Sequence, residues 1–302
     1  MTREELNKEI QNEINEENNS SKKKHIIKFI IKTLVFAIIF FTLFFTYTTY
    51  VSTVKIDIRE YRIKNKKVPK SLSGLKIIQL SDLHFGSTMF NDNVKDIKKK
   101  VNKRKPDLIV FTGDLIDKNY KLKSKEQEKL IKYLKAMDAS LGKYAILGDE
   151  DNELVSTIFN QSDFTILRNE NELIYKEDNN AILLIGLSSK DKDLSKAYNY
   201  FKEENHNANI YTITLTHKPD IADEIVSNYP TDLILAGHSH NGNIRIPFTK
   251  YALFKYNGAK KYDQDYYTIN NTKLYISSGL GTHDGFRLFC RPSINFFRIS
   301  TK

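Results

Sequence analysis

Short runs of apolar residues, each about the length of one β-strand, recur along the chain after residue 70. Runs this rich in Leu, Ile and Val are typical of strands that are buried on both faces of a sheet. Five of these runs are followed, within three residues, by a residue that can bind a metal ion. They are 75–80, 107–111, 143–147, 210–215 and 232–236. Ligand sites in open α/β sheets form beyond the carboxyl ends of the strands, so we expect these five ends to meet at one site.

Helical segments alternate with these strands. Apolar residues three to four positions apart within 94–101 mark one face of a Lys-rich helix. Ser124 with Gln127 is typical of a capping box at the start of a second helix, and Pro219 suits the first turn of a third. Three further strand-like segments are expected to complete a second sheet packed on the first: Ala181–Leu187, Lys273–Ser277 and Ser293–Ile299. The pattern predicts an α/β fold.

One long uncharged segment, Thr33–Val54, precedes the strands and is dense in Phe, Ile and Leu. At about 1.5 Å per residue, a helix over this segment spans the roughly 30 Å hydrocarbon core of a bilayer. Lysines concentrate on its N-terminal side, at positions 22, 23, 24, 28 and 32, whereas only Lys55 follows it directly. The positive-inside bias then leaves the N-terminus in the cytoplasm. We therefore expect a single-pass protein of the cell membrane with its main domain on the extracytoplasmic side.

This segment divides the chain into three predicted parts: a polar cytoplasmic tail (1–32), a transmembrane anchor (33–54) and one domain (55–302). The segment is long for the core of a signal peptide and no A-x-A-like cleavage site follows it, which favours an uncleaved anchor over a signal peptide. Residues 1–21 are dominated by Glu, Asn and Gln, and we expect a disordered tail or a loose helix there.

Charge and cysteine content narrow the range of partners. The chain has 47 Lys and Arg against 37 Asp and Glu, a net charge of +10. A basic domain held near a bilayer suits anionic headgroups or phosphate-rich envelope polymers, although solubility alone explains such a charge equally well. The sequence has no recognised nucleic-acid-binding motif, and the predicted side of the membrane also argues against a nucleic acid partner. The single cysteine, Cys290, excludes an intramolecular disulfide.

The residues that follow the five runs predict a site for two metal ions. Four of the seven histidines lie there, together with Asp82, Asp114 and Asp149. Imidazole and carboxylate ligands together suit Mn, Fe or Zn better than Mg or Ca. Two divalent ions about 3.5–4 Å apart can clamp a phosphate, so metal-assisted phosphoester hydrolysis is the predicted reaction class. Taken singly, each histidine could be structural, and Asp82 and Asp114 could be turn residues.

In chain order, the blocks DLH, GDLID, GDED, THKP and GHSHNG resemble the signature of the calcineurin-like metallophosphoesterases. That family has D-x-H, G-D-x-x-D, G-N-H-D/E, an isolated His and G-H-x-H. The segment Gly279–Thr282, followed by Arg287 and by Cys290–Pro292, is similar to the end of its membrane-associated bacterial branch. The resemblance covers about residues 70–300. It implies a two-sheet β-sandwich flanked by helices, that is a four-layer α/β fold, and a phosphoesterase that depends on two divalent ions.

Carried over by position, the resemblance implies two sets of ligands that share Asp114. The first ion would be held by Asp82, His84, Asp114 and His240. The second ion would be held by Asp114, Asp149, His217 and His238. Asp117, at the last position of the second block, is expected to be a turn residue or a carboxylate that orients a ligand.

The third block departs from the family pattern at two positions. Asp149 stands where the family has a neutral Asn ligand, and Glu150 stands where it has the His thought to assist the leaving group. Both replacements add negative charge, so a phosphate anion would be drawn in less strongly. Loss of a general acid removes about 10²–10⁴-fold in rate. Glu150 could donate the proton only if its pKa were raised: nearby ions lower that pKa, whereas Asp149 and a bound phosphate raise it.

Two later segments have open interpretations. His283 lies in a glycine-rich loop and could approach the site after strand 273–277 to take the role of the missing His; a histidine on a surface loop is the alternative. Segment Tyr251–Tyr267 carries five tyrosines and several lysines. It could line the approach of a substrate or form a partly buried irregular loop.

The sequence leaves two functions open. The leading hypothesis is a membrane-anchored phosphohydrolase that cleaves a phosphodiester or pyrophosphate bond of an envelope or lipid substrate, with Asp114 and Glu150 as its catalytic residues. The alternative is a degenerate member of the family that binds metal or phosphate with little turnover.

Overall fold

The computed structural model describes residues 2–176, 179–191, 193–203, 209–249 and 251–302. The chain separates into two compact units, Met1–Thr48 and Thr49–Lys302. The first unit is one long helix, α1 (Arg3–Thr46), and a π-helical turn follows it over Tyr47–Val51. The predicted polar tail is therefore helical from Arg3, and the α-helix ends eight residues before the predicted anchor does.

Helix α1 has the composition that a bilayer requires. Its most apolar part has a mean hydropathy of 2.4, and by length and composition the helical stretch Arg3–Val51 can cross a membrane. An N-terminal signal segment also meets this criterion. Thr33, Thr42 and Thr46 donate their hydroxyls to carbonyl oxygens one turn earlier, at 2.8–3.0 Å. These hydroxyls are therefore satisfied within the helix, as a polar group in lipid must be.

Two six-stranded sheets form the second unit. The first has the order β1-β12-β2-β3-β4-β5 and the second the order β10-β11-β9-β8-β7-β6. In chain order the strands are β1 (Asp57–Lys64), β2 (Leu75–Leu80), β3 (Leu108–Thr112), β4 (Lys143–Ile146), β5 (Thr165–Ile166), β6 (Glu170–Ile174), β7 (Ile182–Gly186), β8 (Thr212–Thr216), β9 (Leu233–Ala236), β10 (Tyr266–Ile269), β11 (Thr272–Ile276) and β12 (Ser293–Ser300). The strands β2, β3 and β4 are parallel to one another, as are β7, β8 and β9.

Helices cover the outer faces of both sheets. They are α2 (Asn91–Asn102), α3 (Ser124–Lys135), α4 (Glu153–Gln161) and α5 (Ala222–Asn228). Short 3₁₀ helices lie at Lys70–Leu72, Leu194–Lys196, Asn199–Lys202, Pro219–Ile221 and His240–Gly242. One apolar core packs β2 and β3 against β8 and β9, and a second core on each side joins a sheet to its helices. The predicted fold, two sheets flanked by helices, is confirmed.

Two local predictions are corrected by the structure. The segment Ser293–Ile299 lies in the first sheet and not the second, because β12 pairs parallel with β1 and antiparallel with β2. Its Phe296 packs under the helices and its Phe297 packs between the sheets, so it is a strand buried on both faces. At the start of α3, Glu126 and not Gln127 accepts a hydrogen bond from the preceding backbone, at Lys123 N.

Candidate metal centre

The carboxyl ends of the central strands of both sheets converge. Gln79, at the end of β2, donates from Nε2 to Thr112 Oγ1 at 3.1 Å in its own sheet and to Ala236 O at 2.8 Å in the other. Gly237 allows this close approach, because a Cβ there would lie 2.1 Å from Ser81 Oγ. The loops after β2, β3, β8 and β9 therefore leave the sheets at a common point.

Unusual backbone conformations direct the ligand side chains toward that point. Five of the seven predicted ligands have positive φ: Asp82 (49°), His84 (41°), Asp114 (58°), His238 (66°) and His240 (46°). Positive φ is uncommon outside glycine, and residues held in it cluster at functional sites. Backbone bonds from Asp82 N to Gly113 O (2.9 Å) and from His84 N to Asp114 O (3.2 Å) hold the first two turns in place.

The first group of candidate ligands is Asp82, His84 and His240, all buried. Nε2 of His84 lies 3.2 Å from Nε2 of His240, and Asp82 Oδ1 lies 3.8 Å from that same His240 atom. The backbone N–H of His238 donates to both oxygens of Asp82, at 3.0 and 3.1 Å, which fixes the carboxylate.

The second group is Asp114, His217 and His238. Nε2 of His217 lies 3.1 Å from Asp114 Oδ2 and 3.1 Å from His238 Nδ1. The other ring nitrogens face backbone carbonyls: His217 Nδ1 is 2.8 Å from Thr112 O, and His238 Nε2 is 2.8 Å from Asn257 O. Since a carbonyl can only accept, these nitrogens carry the protons, and His238 Nδ1 presents a lone pair to the group.

This donor set fits a pair of transition-metal ions. Three electron-pair donors converge in the second group, and such an arrangement requires a cation among them, either a proton on His217 Nε2 or a metal ion. Nitrogen ligands at about 2.0–2.1 Å from a tetrahedral ion lie roughly 3.3 Å apart, close to the 3.1 and 3.2 Å between the paired imidazoles. Asp114 Oδ2 also lies 4.0 Å from His84 Nε2, so it stands between the two groups where a shared ligand would be placed.

Charge within the centre is strongly coupled to protonation. Burial lowers the pKa of His217, but the carboxylates of Asp114 and Asp82 outweigh it and raise that pKa to about 10. Burial and the neighbouring His84 and Arg287 hold the pKa of His240 well below its usual value. His217 therefore holds a proton at neutral pH, in the place that a metal ion would take.

Asp149, the seventh predicted ligand, lies apart from both groups. Its Oδ2 is 2.6 Å from Lys218 Nζ, and it lines the open cavity of about 580 Å³ into which both groups face. Glu150 lines the same cavity and has Lys118 Nζ 3.5 Å from its Oε1. Each of the two additional carboxylates is thus accompanied by a lysine, which offsets the negative charge that the third block introduces.

The side chain of Glu150 points to His84, a candidate ligand. Its Oε2 lies 3.4 Å from His84 Nδ1 and accepts a hydrogen bond from Lys118 N at 3.2 Å. Burial raises the pKa of Glu150, but the His84 imidazole outweighs it and the net pKa lies below the usual range. In this arrangement Glu150 is an ionised carboxylate that holds the His84 ring, and it is poorly suited to donating a proton.

His283 reaches the same cavity from a loop that is far away in sequence. Its Nδ1 lies 2.6 Å from Oδ2 of the buried Asp117, and its ring centre is 6.2 Å from that of His84. Asp117 Oδ1 in turn accepts a hydrogen bond from Asn119 N at 3.0 Å. The sequence left open whether His283 approaches the site or lies on a surface loop. In the structure His283 lines the cavity of the candidate site.

Sequence reasoning did not assign roles to Asp151 and Lys218. Asp151 is buried and accepts hydrogen bonds from Asp114 N, Leu115 N and Gly148 N at 2.8–2.9 Å, so it joins the second and third blocks. Burial, aided by Asp114, raises the pKa of Asp151 to about 6. Its position as the last residue of the third block was the available signal, whereas the contact of Lys218 with Asp149 had none.

Arg287, noted in sequence only as part of the C-terminal resemblance, is completely buried behind His240. Its Nη2 donates to Gly281 O at 2.5 Å and lies 3.3 Å from His240 Nδ1. The guanidinium therefore packs the GHSHNG loop against the loop that carries His283.

Comparisons with known proteins agree with this geometry. Residues 75–242 match the family described as calcineurin-like phosphoesterase. The metallophosphoesterase YkuE of Bacillus subtilis strain 168 is 29% identical over 84% of this chain and 89% of its own length. LpxG of Chlamydia muridarum, a UDP-2,3-diacylglucosamine pyrophosphatase, is 26% identical over 77% of this chain and 86% of its own. The phosphodiesterase YaeI of Escherichia coli K12 is 25% identical over 74% and 82%.

Proposed function

This chain belongs to the calcineurin-like phosphoesterase family, and we propose that it is a membrane-anchored enzyme that cleaves a phosphodiester or pyrophosphate bond of an envelope or lipid substrate. That it is a metal-dependent phosphohydrolase follows from the family. The anchor, the side of the membrane and the lipid nature of the substrate are the proposed part. Helix α1 supports the anchor, and the lysines on the N-terminal side of its apolar part support an extracytoplasmic domain.

The proposed metal ligands are the predicted ones. Asp82, His84 and His240 would hold one ion, His217 and His238 the other, and Asp114 both. Asp149 would join the second set by turning away from Lys218, its present partner. When bound, such a pair of ions withdraws charge from a phosphoryl group and acidifies water. The observation that carries the proposal is the convergence of the two groups of ligand atoms on Asp114 within one cavity.

The lysines around the cavity have a role in binding. Lys218 and Lys118 line it together with the two carboxylates of the third block. A phosphate that enters would compete with Asp149 for Lys218, so the lysine would pass from the carboxylate to the substrate as Asp149 turns inward. The cavity thereby keeps the positive charge that attracts an anion, despite its additional carboxylates.

The leaving group would take its proton from His283. Asp117 holds Nδ1 of this residue, which leaves Nε2 for the substrate. The oxygen of a water molecule bonds to phosphorus, the bond to the leaving oxygen breaks, and the leaving oxygen takes the Nε2 proton. A proton released by the water returns to Nε2 of His283. Glu150, the donor proposed from sequence, is the second candidate; its lowered pKa weighs against it.

Hydrolysis of bis-p-nitrophenyl phosphate with Mn²⁺ tests the function. The full chain in detergent is compared with Asp114→Asn, which keeps a side chain that tolerates positive φ, and with Glu150→His. We expect Asp114→Asn to lose at least about 10²-fold in kcat, because one side chain serves both groups. Hydrolysis by the wild type that is no faster than by Asp114→Asn would reject the proposed enzymatic function.

Metal content of the same preparations separates the two functions that the sequence left open. About two ions per wild-type chain together with no turnover would identify a protein that binds metal without useful catalysis. The additional charge of Asp149 and Glu150 is the observation that favours this alternative.

A further inference from the structure

Exposed apolar side chains concentrate on one hairpin beside the metal centre. Among the described residues from 56 to 302, ten large apolar side chains are exposed, and six of them belong to this group. They are Ile246, Phe248, Tyr251, Leu253, Phe254 and Phe289. Single exposed apolar side chains are ordinary, but a contiguous group marks an interaction surface. Residues 244–249 and 251–254 together with Phe289 are called here the apolar hairpin.

Backbone pairing makes the group contiguous. Ile246 N donates to Tyr251 O at 3.1 Å, and Leu253 N donates to Ile244 O at 2.8 Å, so 244–246 and 251–253 form the two arms. Phe248 lies at the tip with φ of 62° and is fully exposed. Ile244 also pairs with Leu288, which brings Phe289 alongside the first arm.

The two faces of the hairpin differ. Arg245 pairs with Ala252, and both face the protein: Ala252 is buried, and Arg245 donates to Asn241 Oδ1 and Asp263 O. Successive side chains of a strand point to opposite faces. The neighbours Ile246, Tyr251 and Leu253 therefore face solvent and are 47%, 71% and 57% exposed.

The base of the hairpin is continuous with the metal centre. Phe254 and Phe286, with ring centres 6.3 Å apart, line a cavity of about 310 Å³ together with Tyr256. Tyr256 also lines the metal-site cavity, and its ring centre is 5.6 Å from that of His240. Tyr256 therefore forms a wall that the metal-site cavity shares with the cavity at the base of the hairpin.

We propose that the apolar hairpin inserts into the surface of a lipid bilayer. Three observations identify a bilayer as the occupant. The exposed side chains are aromatic and aliphatic, the kinds that enter the interface. Residues 243–262 contain five basic residues and no acidic one, and Lys255, Lys260 and Lys261 among them are exposed. Lys255 and Lys261 lie beside Asp263 and Asp223, so the local excess of positive charge that can meet anionic headgroups is modest. Helix α1 can hold the chain at a membrane. The inference rests on the proposed function only for this attachment and for the nature of the substrate.

Tryptophan fluorescence tests the insertion directly, because the chain has no tryptophan of its own. Phe248→Trp places a single reporter at the tip. Tyr175→Trp is the matched control, an exposed aromatic position just after β6, at the end of the sheet remote from the metal centre. Each full-length variant is reconstituted in phosphatidylcholine–phosphatidylglycerol vesicles with or without bromine on the acyl chains. We expect the reporter at the tip to emit at shorter wavelength and to lose about half of its intensity to brominated lipid, and the control reporter to change little.

Each outcome decides between occupants. Equal, weak quenching of the two reporters overturns the proposal. A blue-shifted emission of the Phe248→Trp variant in detergent, with a mass of two chains by analytical ultracentrifugation, also overturns it and assigns the surface to a second copy. Hydrolysis of soluble bis-p-nitrophenyl phosphate by the same preparations is independent of the hairpin. Quenching without hydrolysis retains the insertion and rejects the proposed function, and hydrolysis without quenching does the reverse.

Discussion

His217 and His283 each lie against a buried carboxylate, Asp114 in the first case and Asp117 in the second. A carboxylate beside an imidazole fixes the orientation of the ring and which ring nitrogen faces the carboxylate. The consequences differ, because Asp114 belongs to a group of candidate metal ligands, whereas Asp117 holds a histidine at the wall of the cavity. One residue is expected to lose its proton to metal binding and the other to give its proton to the substrate.

His283→Ala is expected to affect poor leaving groups most. Loss of a positioned acid removes about 10²–10⁴-fold in kcat for an alkyl or phenyl leaving group and much less for p-nitrophenolate, which needs little protonation. Rates across a series of substituted phenyl diesters measure this dependence, with His25→Ala in the N-terminal helix as the control. A uniform fall across the series, or none, would contradict the role of His283, and Asp117→Asn should reproduce the graded loss.

Metal binding is expected to release a proton from His217. The pKa of this histidine is raised to about 10, so it is protonated at neutral pH, whereas a ligand must offer a free lone pair. Apparent affinity for Mn²⁺ or Zn²⁺ should therefore rise as pH increases from about 6.5 to about 8.5. Titration calorimetry in buffers of different ionisation enthalpy counts the protons. Affinity that does not depend on pH, with no proton passed to the buffer, would be the contrary result.

At this scale, sequence reasoning can place a residue that follows a strand in a recognisable block. Asp82, His84, Asp114 and His240 are examples, since strand ends converge by the geometry of the sheets. It could not place Asp149, because its ion pair with Lys218 depends on how two loops meet. The proximity of His283 to Asp117 also had no local signal, since 166 positions separate them.

At the scale of elements, the GDED loop is organised by its last residue. The carboxylate of Asp151 accepts hydrogen bonds from three backbone N–H groups and so joins the loop after β3 to the loop after β4. Asn152 then caps α4, with its side chain accepting from Leu154 N and Val155 N. The third block thus keeps its scaffold although its two central residues differ from the family.

Asp151→Ala is expected to destabilise the domain by about 3–5 kcal/mol, because three buried N–H groups lose their acceptor and each unsatisfied group costs about 1–3 kcal/mol. Thermal unfolding of the full chain in detergent, followed by circular dichroism, measures the effect. Asp163→Asn, which removes an exposed ion pair with Lys135 and keeps a side chain that tolerates positive φ, is the control. It should shift stability by no more than about 0.5 kcal/mol. Equal melting temperatures for the two variants would refute this role.

The placement of β12 shows what apolar pattern alone cannot predict. The run Ser293–Ser300 has the composition of a central strand, and the structure uses it as one. Either sheet could have accepted such a run, and its partners are set by long-range pairing with β1 and β2. Existence and type of the element were therefore predictable, whereas its sheet was not.

At the scale of the whole molecule, a helix of membrane length and a phosphoesterase domain are joined in one chain. Four layers and their order followed from the strand and helix pattern together with the family blocks. The orientation of the domain across a membrane is predicted only from the distribution of lysines, and the positive-inside rule behind that prediction is a statistical tendency. The orientation therefore needs a direct test, by labelling in intact cells.

Substituted cysteines report the orientation, because the native Cys290 is buried. We expect a membrane-impermeant maleimide to label Lys129→Cys, an exposed position in α3, on intact cells, and to label Lys8→Cys only after lysis. The reverse pattern would place the domain in the cytoplasm. Labelling of neither variant before lysis would contradict the single-pass arrangement.

The left-handed backbone of Asp82, His84, Asp114, His238 and His240 limits which replacements evolution and mutagenesis can use there. A β-branched or large side chain would be strained at positive φ. Even alanine would remove the ligand atom and also destabilise the left-handed backbone conformation. Asparagine resembles aspartate in shape and adopts these angles more readily than most residues. Homologues that lose catalysis are therefore expected to do so first through Asp-to-Asn substitutions. Their loops would keep the conformation of the active ancestor.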